Sequence, residues 1–230
     1  GSPGKEIMKR DTILLLVIAA LVIVGAFVGM RWYQQNAEQK QVAKTPAMSE
    51  ALVREDSRTI GPADAKVTVV EFLDPECESC AAFAPEVKKV LKEFEGQVRF
   101  VLRYMPLHKN ARLAASYMEA AGEQGKYWEM QEKMFVNQSQ WGEIHGAPQP
   151  VDRPDPKVLF EKWAGELGLN VEQLRASATE KKHMDKIKRD LLDGRSLGVR
   201  RTPTIFVNGK ELFRLNPNDL RSMIAAELKK

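Results

Sequence analysis

The N-terminal part of the chain contains a long apolar run, and no charged residue lies between Thr12 and Met30. As a helix with a rise of about 1.5 Å per residue, this run comes close to spanning a hydrocarbon core of roughly 30 Å. Trp32 and Tyr33 follow it and are typical of the membrane interface. We therefore predict a single transmembrane anchor over residues 8–33.

A cleaved signal peptide is the alternative for this segment. Its apolar region is normally shorter, about 7–15 residues, and a small-x-small cleavage site follows it. No convincing site follows Met30 directly, so the anchor is favoured. The sequence Gly1-Ser-Pro-Gly resembles a cloning scar, and residues 1–7 are interpreted as a tag remnant before a native start at Met8. Either alternative places the rest of the chain outside the cytoplasm, in an oxidising compartment.

The segment after the anchor, residues 34–62, is polar and begins with Gln34 and Gln35. It is too short to form a separate domain with its own core. We interpret it as a linker, helical in part, between the anchor and a folded domain.

From Lys66 the hydrophobic pattern predicts a strand, a helix and a second strand. Residues 67–73 are β-branched and mostly apolar, as in a buried strand, and residues 98–104 have the same character. Between these strands, apolar side chains recur at the spacing of one helix face: Phe83, Val87, Val90, Leu91 and Phe94. A crossover of this length predicts a βαβ unit with parallel strands.

A long helical region follows, and strand character returns only near the C-terminus. Helices are expected over residues 111–121, 126–137, 157–167, 171–176 and 181–192. Residues 204–207 are predicted to form a strand. Asn208-Gly209 is a hairpin turn signal before a return strand at residues 210–213. The chain ends with apolar residues at helical spacing: Leu220, Met223, Ile224 and Leu228.

Composition and charge restrict the function classes. A chain of 230 residues, 43% of them hydrophobic, can bury a substantial core. The net charge is +4, from 35 basic and 31 acidic residues, without the concentrated basic face that nucleic-acid binding requires. Acidic residues interrupt the basic residues between Lys181 and Arg201, as on a solvated helix surface. We therefore expect no nucleic-acid partner.

The chain has two cysteines, Cys77 and Cys80, three positions apart. A disulfide scaffold carries four or more, and a structural zinc site usually needs four Cys or His ligands. The three histidines, His108, His145 and His183, show no ligand spacing relative to the cysteines. The pair therefore acts alone or with partners that the fold brings to it, and we expect no bound metal and no cofactor.

The two cysteines follow a buried strand and open a helix, which favours redox chemistry. Unsatisfied N–H groups at a helix N-terminus, together with the helix dipole, favour an anion at Cys77 and lower its thiol pKa. Cys80, one turn further, lies on the same side and is expected to be less exposed. It can attack a mixed disulfide formed at Cys77 and release the product.

With these features the sequence resembles the thioredoxin superfamily, and specifically its DsbA-like branch. The resemblance implies that Glu71, six positions before Cys77, is buried behind the site and exchanges protons with Cys80. It implies that Pro85 kinks the helix, and that the Thr202-Pro203 bond is cis and faces the cysteines. It also implies that the catalytic residues are Cys77, Cys80, Pro203 and Glu71, and that the substrate-binding residues are Thr202, Glu78 and Ser79.

The long separation between Cys77 and Pro203 points to the DsbA-like branch, in which a helical domain is inserted into the thioredoxin fold. The resemblance covers about Ile60 to Lys230, and two sequence stretches, at residues 110–114 and 122–128, also support it. The fold class it implies is α/β. The domains it implies are a first thioredoxin part at 63–106, a helical insertion at 107–197 and a second thioredoxin part at 198–230.

The resemblance implies a thiol–disulfide oxidoreductase that exchanges disulfides with cysteine-containing proteins, and we expect it to act as a dithiol oxidase. Its expected location is the bacterial inner membrane, crossed once, with the catalytic domain facing the periplasm or the cell exterior. A membrane or periplasmic redox partner is expected. Because Glu71, Asp74, Glu76 and Glu78 surround Cys77, we expect its thiol to be less acidic, and its disulfide less oxidising, than in the strongest oxidases.

Three alternatives remain open from the sequence. The first is a disulfide isomerase or reductase, since a threonine before the proline occurs in both isomerases and other DsbA-like proteins. The second is a copper- or zinc-binding protein that uses the cysteines as soft thiolate ligands. The third is an anchored binding module with a vestigial cysteine pair.

Overall fold

The computed structural model describes residues 4–42 and 46–230, which fall into two compact units divided after Pro46. In the first unit a single helix, α1, extends from Gly4 to Val42. Its segment Thr12–Trp32 is long and apolar enough to cross a membrane by length and composition, a criterion that a signal sequence also meets. The predicted anchor lies within α1. Of the predicted tag remnant and linker, residues 1–3 and 43–45 lie outside the described part.

The second unit is built on one mixed sheet, with the strand order β1-β3-β2-β4-β5 in the described part of the chain. The strands are β1 (Arg58–Ile60), β2 (Val67–Leu73), β3 (Val98–Tyr104), β4 (Thr204–Val207) and β5 (Lys210–Glu211). Only the β2–β3 pair is parallel among them. This arrangement, with helices added, confirms the predicted thioredoxin fold.

Helices cover both faces of this sheet. Successive side chains of β2 and β3 point to opposite faces, and nearly all of them are buried, so each face needs a covering layer. On one face, Phe72 and Val101 join Leu191 and Leu52 in a buried cluster. On the other face the larger core contains side chains of the helix that starts after Cys77. The helices of this unit are α2 (Pro46–Leu52), α3 (Glu78–Glu93), α4 (Ala111–Glu123), α5 (Tyr127–Val136), α6 (Pro156–Glu166), α7 (Val171–Ala178), α8 (Lys181–Ser196) and α9 (Pro217–Leu228).

The compact unit begins earlier than the sequence analysis expects. Residues 47–62, interpreted as part of a linker, contain most of α2 and all of β1. β1 pairs with β3, and the buried Arg103 donates a hydrogen bond of 2.6 Å to the carbonyl of Ala51. Both elements are too short for a hydrophobic period to be visible. Ala51 and Leu52 of α2 are buried, whereas β1 is largely exposed and is held by its pairing with β3. Residues 34–42, from the same predicted linker, continue α1.

The inserted helices α4 to α8 pack around aromatic side chains. Trp141 and Phe160 meet edge to face with ring centroids 4.9 Å apart, and Phe160 also contacts Tyr117 and Trp163. These side chains are buried and form the core of the insertion. The insertion lies in the chain between β3 and β4, so both of its ends are tied to the sheet near the cysteines.

Candidate active site

Cys77 and Cys80 lie at the junction of β2 and α3. Cys77 is the residue before the first turn of α3, in an extended conformation, and its carbonyl accepts the first helical hydrogen bond from Ala81. Cys77 is 8% exposed and Cys80 is 0% exposed, and both are free thiols. The outer cysteine can therefore meet a substrate, whereas the inner one is reached only through it.

The structure lowers the pKa of Cys77 from its ordinary 9.0 to about 5. The hydrogen bond from the Cys80 thiol is the largest cause. Hydrogen bonds from Thr202 and from the backbone N–H groups of Cys80 and Ser79 act in the same direction, against the effect of burial. These backbone groups belong to the unsatisfied first turn of a helix, which stabilises an anion. At neutral pH the Cys77 sulfur is a thiolate and thus a nucleophile.

Behind Cys77, Cys80 and Glu71 occupy a dry environment. Burial raises the pKa of Cys80 well above 9.0, and the hydrogen bond and charge of Cys77 and the charge of Glu71 add to this. Burial, followed by the charge of Cys77, also raises the pKa of Glu71 to about 8. Glu71 is buried on the central strand β2, opposite Leu102 and Ile205 of its neighbours. A carboxyl group of this kind holds or releases a proton near neutral pH.

The Thr202-Pro203 bond is cis, as the sequence analysis predicts. It lies beside the cysteines because β4, which follows it, pairs with β2. When Cys77 is protonated, its thiol donates to the Thr202 carbonyl, with a sulfur–oxygen distance of 3.4 Å.

Glu78 and Ser79, the residues between the cysteines, are exposed. Ser79, Thr202 and Pro203 line an open cavity of about 280 Å³, and Leu212 and Phe213 also belong to its lining. The residues predicted to bind substrate thus lie on the outer surface around Cys77, where a chain carrying a cysteine could reach the sulfur.

Asp74 and Glu76, which lie close before Cys77 in the sequence, have hydrogen-bond partners in the insertion. Both are fully buried, and their carboxylates accept hydrogen bonds from other groups. Asp74 Oδ2 accepts from the backbone N–H of Leu107 at 2.6 Å, and Glu76 Oε1 accepts from the Asn110 side chain at 2.9 Å and from the Glu143 N–H at 3.1 Å. The two carboxylates fasten the cysteine loop to the insertion.

Hydrogen bonding at the helix start is the largest cause of the lowered Cys77 pKa. The prediction from the sequence is a Cys77 thiol less acidic than in the strongest oxidases. A pKa of about 5 is still less acidic than the roughly 3.5 of the most acidic disulfide oxidoreductases.

The structure adds His108 and His145 to the site, two residues that sequence reasoning did not assign to it. His108 lies 2.8 Å from Asp74 through its Nδ1 atom, and its ring meets the ring of His145 edge to face at 5.2 Å. His108 follows a predicted strand end, which is a weak signal for the site, and the sequence gives none for His145. Both lie on loops of the insertion, where His108 contacts Asp74 and His145 contacts Glu78.

Among the residues that the structure describes, no group of three or more His, Cys, Asp or Glu side chains is arranged to hold a metal ion. The copper- or zinc-binding alternative therefore receives no support from the geometry around Cys77 and Cys80.

Comparisons with known proteins agree with this geometry. A family model described as thioredoxin matches residues 54–226. The crystal structure of oxidised BdbD from Bacillus subtilis is 26% identical, with a TM-score of 0.64 over 76% of this chain and 94% of that one. The thiol-disulfide exchange protein α-DsbA2 of Wolbachia pipientis is 18% identical, with a TM-score of 0.64 over 84% of this chain and 97% of that one, a likeness of fold alone.

A curated relative of a different kind is the Na(+)/H(+) antiporter NhaA of Herminiimonas arsenicoxydans, which is 29% identical over 199 residues. The match covers 86% of this chain, but this chain spans only 29% of the length of that antiporter.

Proposed function

This chain belongs to the thioredoxin family whose model matches residues 54–226, and from that premise we propose that it forms disulfide bonds in protein substrates outside the cytoplasm. It is a thiol–disulfide oxidoreductase, like the DsbA-like proteins it resembles in structure. The observation that carries the proposal is the pair of free thiols at the start of α3, with Cys77 at the helix N-terminus and Cys80 fully buried behind it. The lowered pKa of Cys77 agrees with this arrangement.

In the proposed reaction the enzyme starts with a Cys77–Cys80 disulfide. A substrate thiolate attacks the Cys77 sulfur, the bond between the cysteines breaks, and the electron pair goes to Cys80, which takes a proton from Glu71. A second substrate thiolate then attacks the substrate sulfur of the mixed disulfide, and Cys77 leaves as a thiolate. Two electrons have passed from the substrate, now a disulfide, to the enzyme, now a dithiol.

The stability of the reduced state supports the proposed direction of exchange. A thiolate with a lowered pKa stabilises the reduced, folded protein, so the disulfide form gives up its bond readily. The stabilisation of the reduced protein by the Cys77 thiolate is fully present above the ordinary pKa of 9.0, and it is lost as the pH falls through about 5. At neutral pH this contribution shifts the balance towards oxidation of the substrate, which is the direction we propose.

Each turnover leaves the enzyme reduced, so the proposal requires a redox partner that accepts two electrons and restores the Cys77–Cys80 disulfide. We propose a membrane or periplasmic protein for this role. The apolar segment Thr12–Trp32 supports a single-pass anchor in the bacterial inner membrane. The catalytic domain would then face the periplasm or the cell exterior. Thr202, Glu78 and Ser79 would contact the substrate chain around Cys77.

The direction of exchange is tested with the enzyme in its disulfide form and a reduced, unfolded protein as substrate. We expect one substrate disulfide per enzyme molecule, with the enzyme becoming reduced, as counted by alkylation and mass spectrometry. In parallel, a substrate with scrambled disulfides is incubated with the reduced enzyme. Fast rearrangement of the scrambled substrate together with poor oxidation of the reduced one would establish an isomerase instead.

Glu71→Gln tests the proton transfer. Glutamine keeps the size of the side chain but cannot exchange a proton with Cys80. We expect oxidation of the substrate to slow by on the order of 100-fold, the lower end of what a positioned proton donor contributes. The inflection that Glu71, with its raised pKa, contributes to the rate profile should disappear. Stopped-flow fluorescence of the enzyme measures both effects.

Glu86→Gln is the matched control, because Glu86 is paired with Lys89 on the outer surface of α3. Its rate and pH profile should equal those of the unmodified protein. A Glu71→Gln variant that keeps both the rate and the inflection would show that Glu71 is not the proton donor.

A further inference from the structure

Two histidines lie next to the cysteine loop, although the mechanism above uses neither. His108 belongs to the connection between β3 and α4, and His145 to the connection between α5 and α6. Their rings meet edge to face at 5.2 Å. Their contacts reach the cysteine loop on both sides of Cys77, since His108 pairs with Asp74 and His145 with Glu78.

Asp74 fixes the position of His108. The Asp74 carboxylate is fully buried, and its Oδ2 atom accepts from the His108 backbone N–H at 2.9 Å and contacts His108 Nδ1 at 2.8 Å. Asp74 also shapes the loop, because its carbonyl accepts from the Cys77 N–H at 3.1 Å and its Oδ1 from the Glu76 N–H at 2.7 Å. The imidazole is therefore held by the same residue that sets the position of Cys77.

The pKa of His108 supports a cation at this position. Burial would lower it, but the hydrogen bond and charge of Asp74, and then the charges of Cys77 and Glu76, raise it above 6.5. The ion pair with Asp74 is thus fully formed below the ordinary pKa of histidine and is lost as the pH rises through the raised value. His108 is coupled to the Cys77 charge because each charged group favours the other.

The cysteine motif itself supplies no positive charge. Glu78 is acidic and Ser79 is neutral, so within the motif the Cys77 thiolate is favoured by hydrogen bonds and the helix N-terminus alone. Glu78 instead faces His145, with 3.5 Å between His145 Nδ1 and Glu78 Oε2. This contact directs the negative charge of Glu78 towards a second imidazole.

We propose that the His108 imidazolium, held in place by Asp74, supplies a positive charge that stabilises the Cys77 thiolate from outside the cysteine motif. The proposal rests on the thiol–disulfide exchange proposed above but not on its direction. When the substrate disulfide forms and Cys77 leaves with the electron pair, the charge of His108 stabilises the leaving thiolate. His108 acts through Cys77 and is a positioning residue.

The test compares two variants of His108 in the full chain. His108→Gln removes the charge but keeps a hydrogen-bond donor towards Asp74, and His108→Lys keeps a charge. For His108→Gln we expect the Cys77 pKa, read from thiolate ultraviolet absorbance, to rise by about one unit, the lower end of the effect of an adjacent opposite charge. The equilibrium constant against glutathione should shift about tenfold towards the enzyme disulfide. His108→Lys should retain a low Cys77 pKa.

Lys109→Gln is the matched control, since it removes one positive charge from the next, exposed position of the same loop. It should leave the Cys77 pKa unchanged. The pH dependence of the reduction potential gives a second measurement. Loss of the Cys77 thiolate on oxidation lowers the proton affinity of His108, so reduction should take up an additional proton over a pH window. That extra slope should be absent in both His108 variants.

A Cys77 pKa that stays near 5 in His108→Gln would overturn the proposal. Equal increases in His108→Gln and His108→Lys would also overturn it, because they would assign the effect to loop structure rather than to charge. These titrations need no substrate, so they remain decisive if the protein proves to be an isomerase or a reductase. Circular dichroism of each variant verifies the fold.

Discussion

Replacing Cys77 by serine will reduce disulfide exchange to the rate without enzyme, whereas replacing Cys80 by serine will trap substrates on Cys77. Cys77 carries the reactive thiolate at the start of α3, and a serine hydroxyl neither forms a disulfide nor ionises near neutral pH. With Cys80 replaced, a mixed disulfide at Cys77 persists because the buried sulfur that would resolve it is missing. Non-reducing electrophoresis and mass spectrometry of the trapped adducts measure both outcomes.

Each of the two variants is the control for the other, because each replaces one cysteine sulfur in the same helix turn and leaves the other cysteine in place. Trapping by Cys77→Ser instead of Cys80→Ser would reverse the assigned order of the cysteines. Retained activity in Cys77→Ser would support an anchored binding module with a vestigial pair. The trapped proteins would also identify substrates or the redox partner, which the sequence does not reveal.

The residues closest to the cysteines in the sequence were the most predictable. Cys77 and Cys80 follow an apolar strand and precede an amphipathic helix, and this local order is enough to place them at a helix start. The resemblance to the thioredoxin superfamily then predicts that Glu71 and Pro203 lie next to the cysteines. The structure puts Glu71 on the central strand and Pro203 just before β4, the strand that pairs with it.

The parts that sequence reasoning missed depend on contacts between distant residues. The sequence shows that Asp74 and Glu76 are near Cys77 but not that their carboxylates are directed to backbone N–H groups of the insertion. His108 and His145 come to the site on loops of that insertion. In the same way, α2 and β1 are ordered by β3 and Arg103, about 50 residues further along the chain.

A buried ion cluster fastens these distant elements together. Arg103 on β3 is 0% exposed, and its Nη2 atom lies 2.8 Å from Asp190 and 2.6 Å from Asp193 on α8. Asp193 in turn pairs with Arg54, which follows α2, at 2.9 Å. The cluster thus connects the central sheet, the last inserted helix and the N-terminal edge of the domain.

Arg103→Met is expected to lower the free energy of unfolding by about 3–5 kcal/mol, the usual cost of removing one partner from a buried ion pair. Methionine fills much of the space but leaves the buried carboxylate of Asp190 without its cation. Burial already raises the pKa of Asp190, and Arg103 opposes that effect. Urea unfolding followed by fluorescence measures the loss, with the cysteines kept reduced.

The double variant Arg103→Met/Asp190→Asn should recover a large part of this stability, because asparagine removes the uncompensated charge and still accepts the Tyr104 N–H hydrogen bond. Lys88→Met is the exposed control. Its ion pair with Glu132 leaves the two side chains 75% and 64% exposed, so the change should stay within about 0.5 kcal/mol. If Arg103→Met were as mild as Lys88→Met, the cluster would not hold α8 and the N-terminal edge on the sheet.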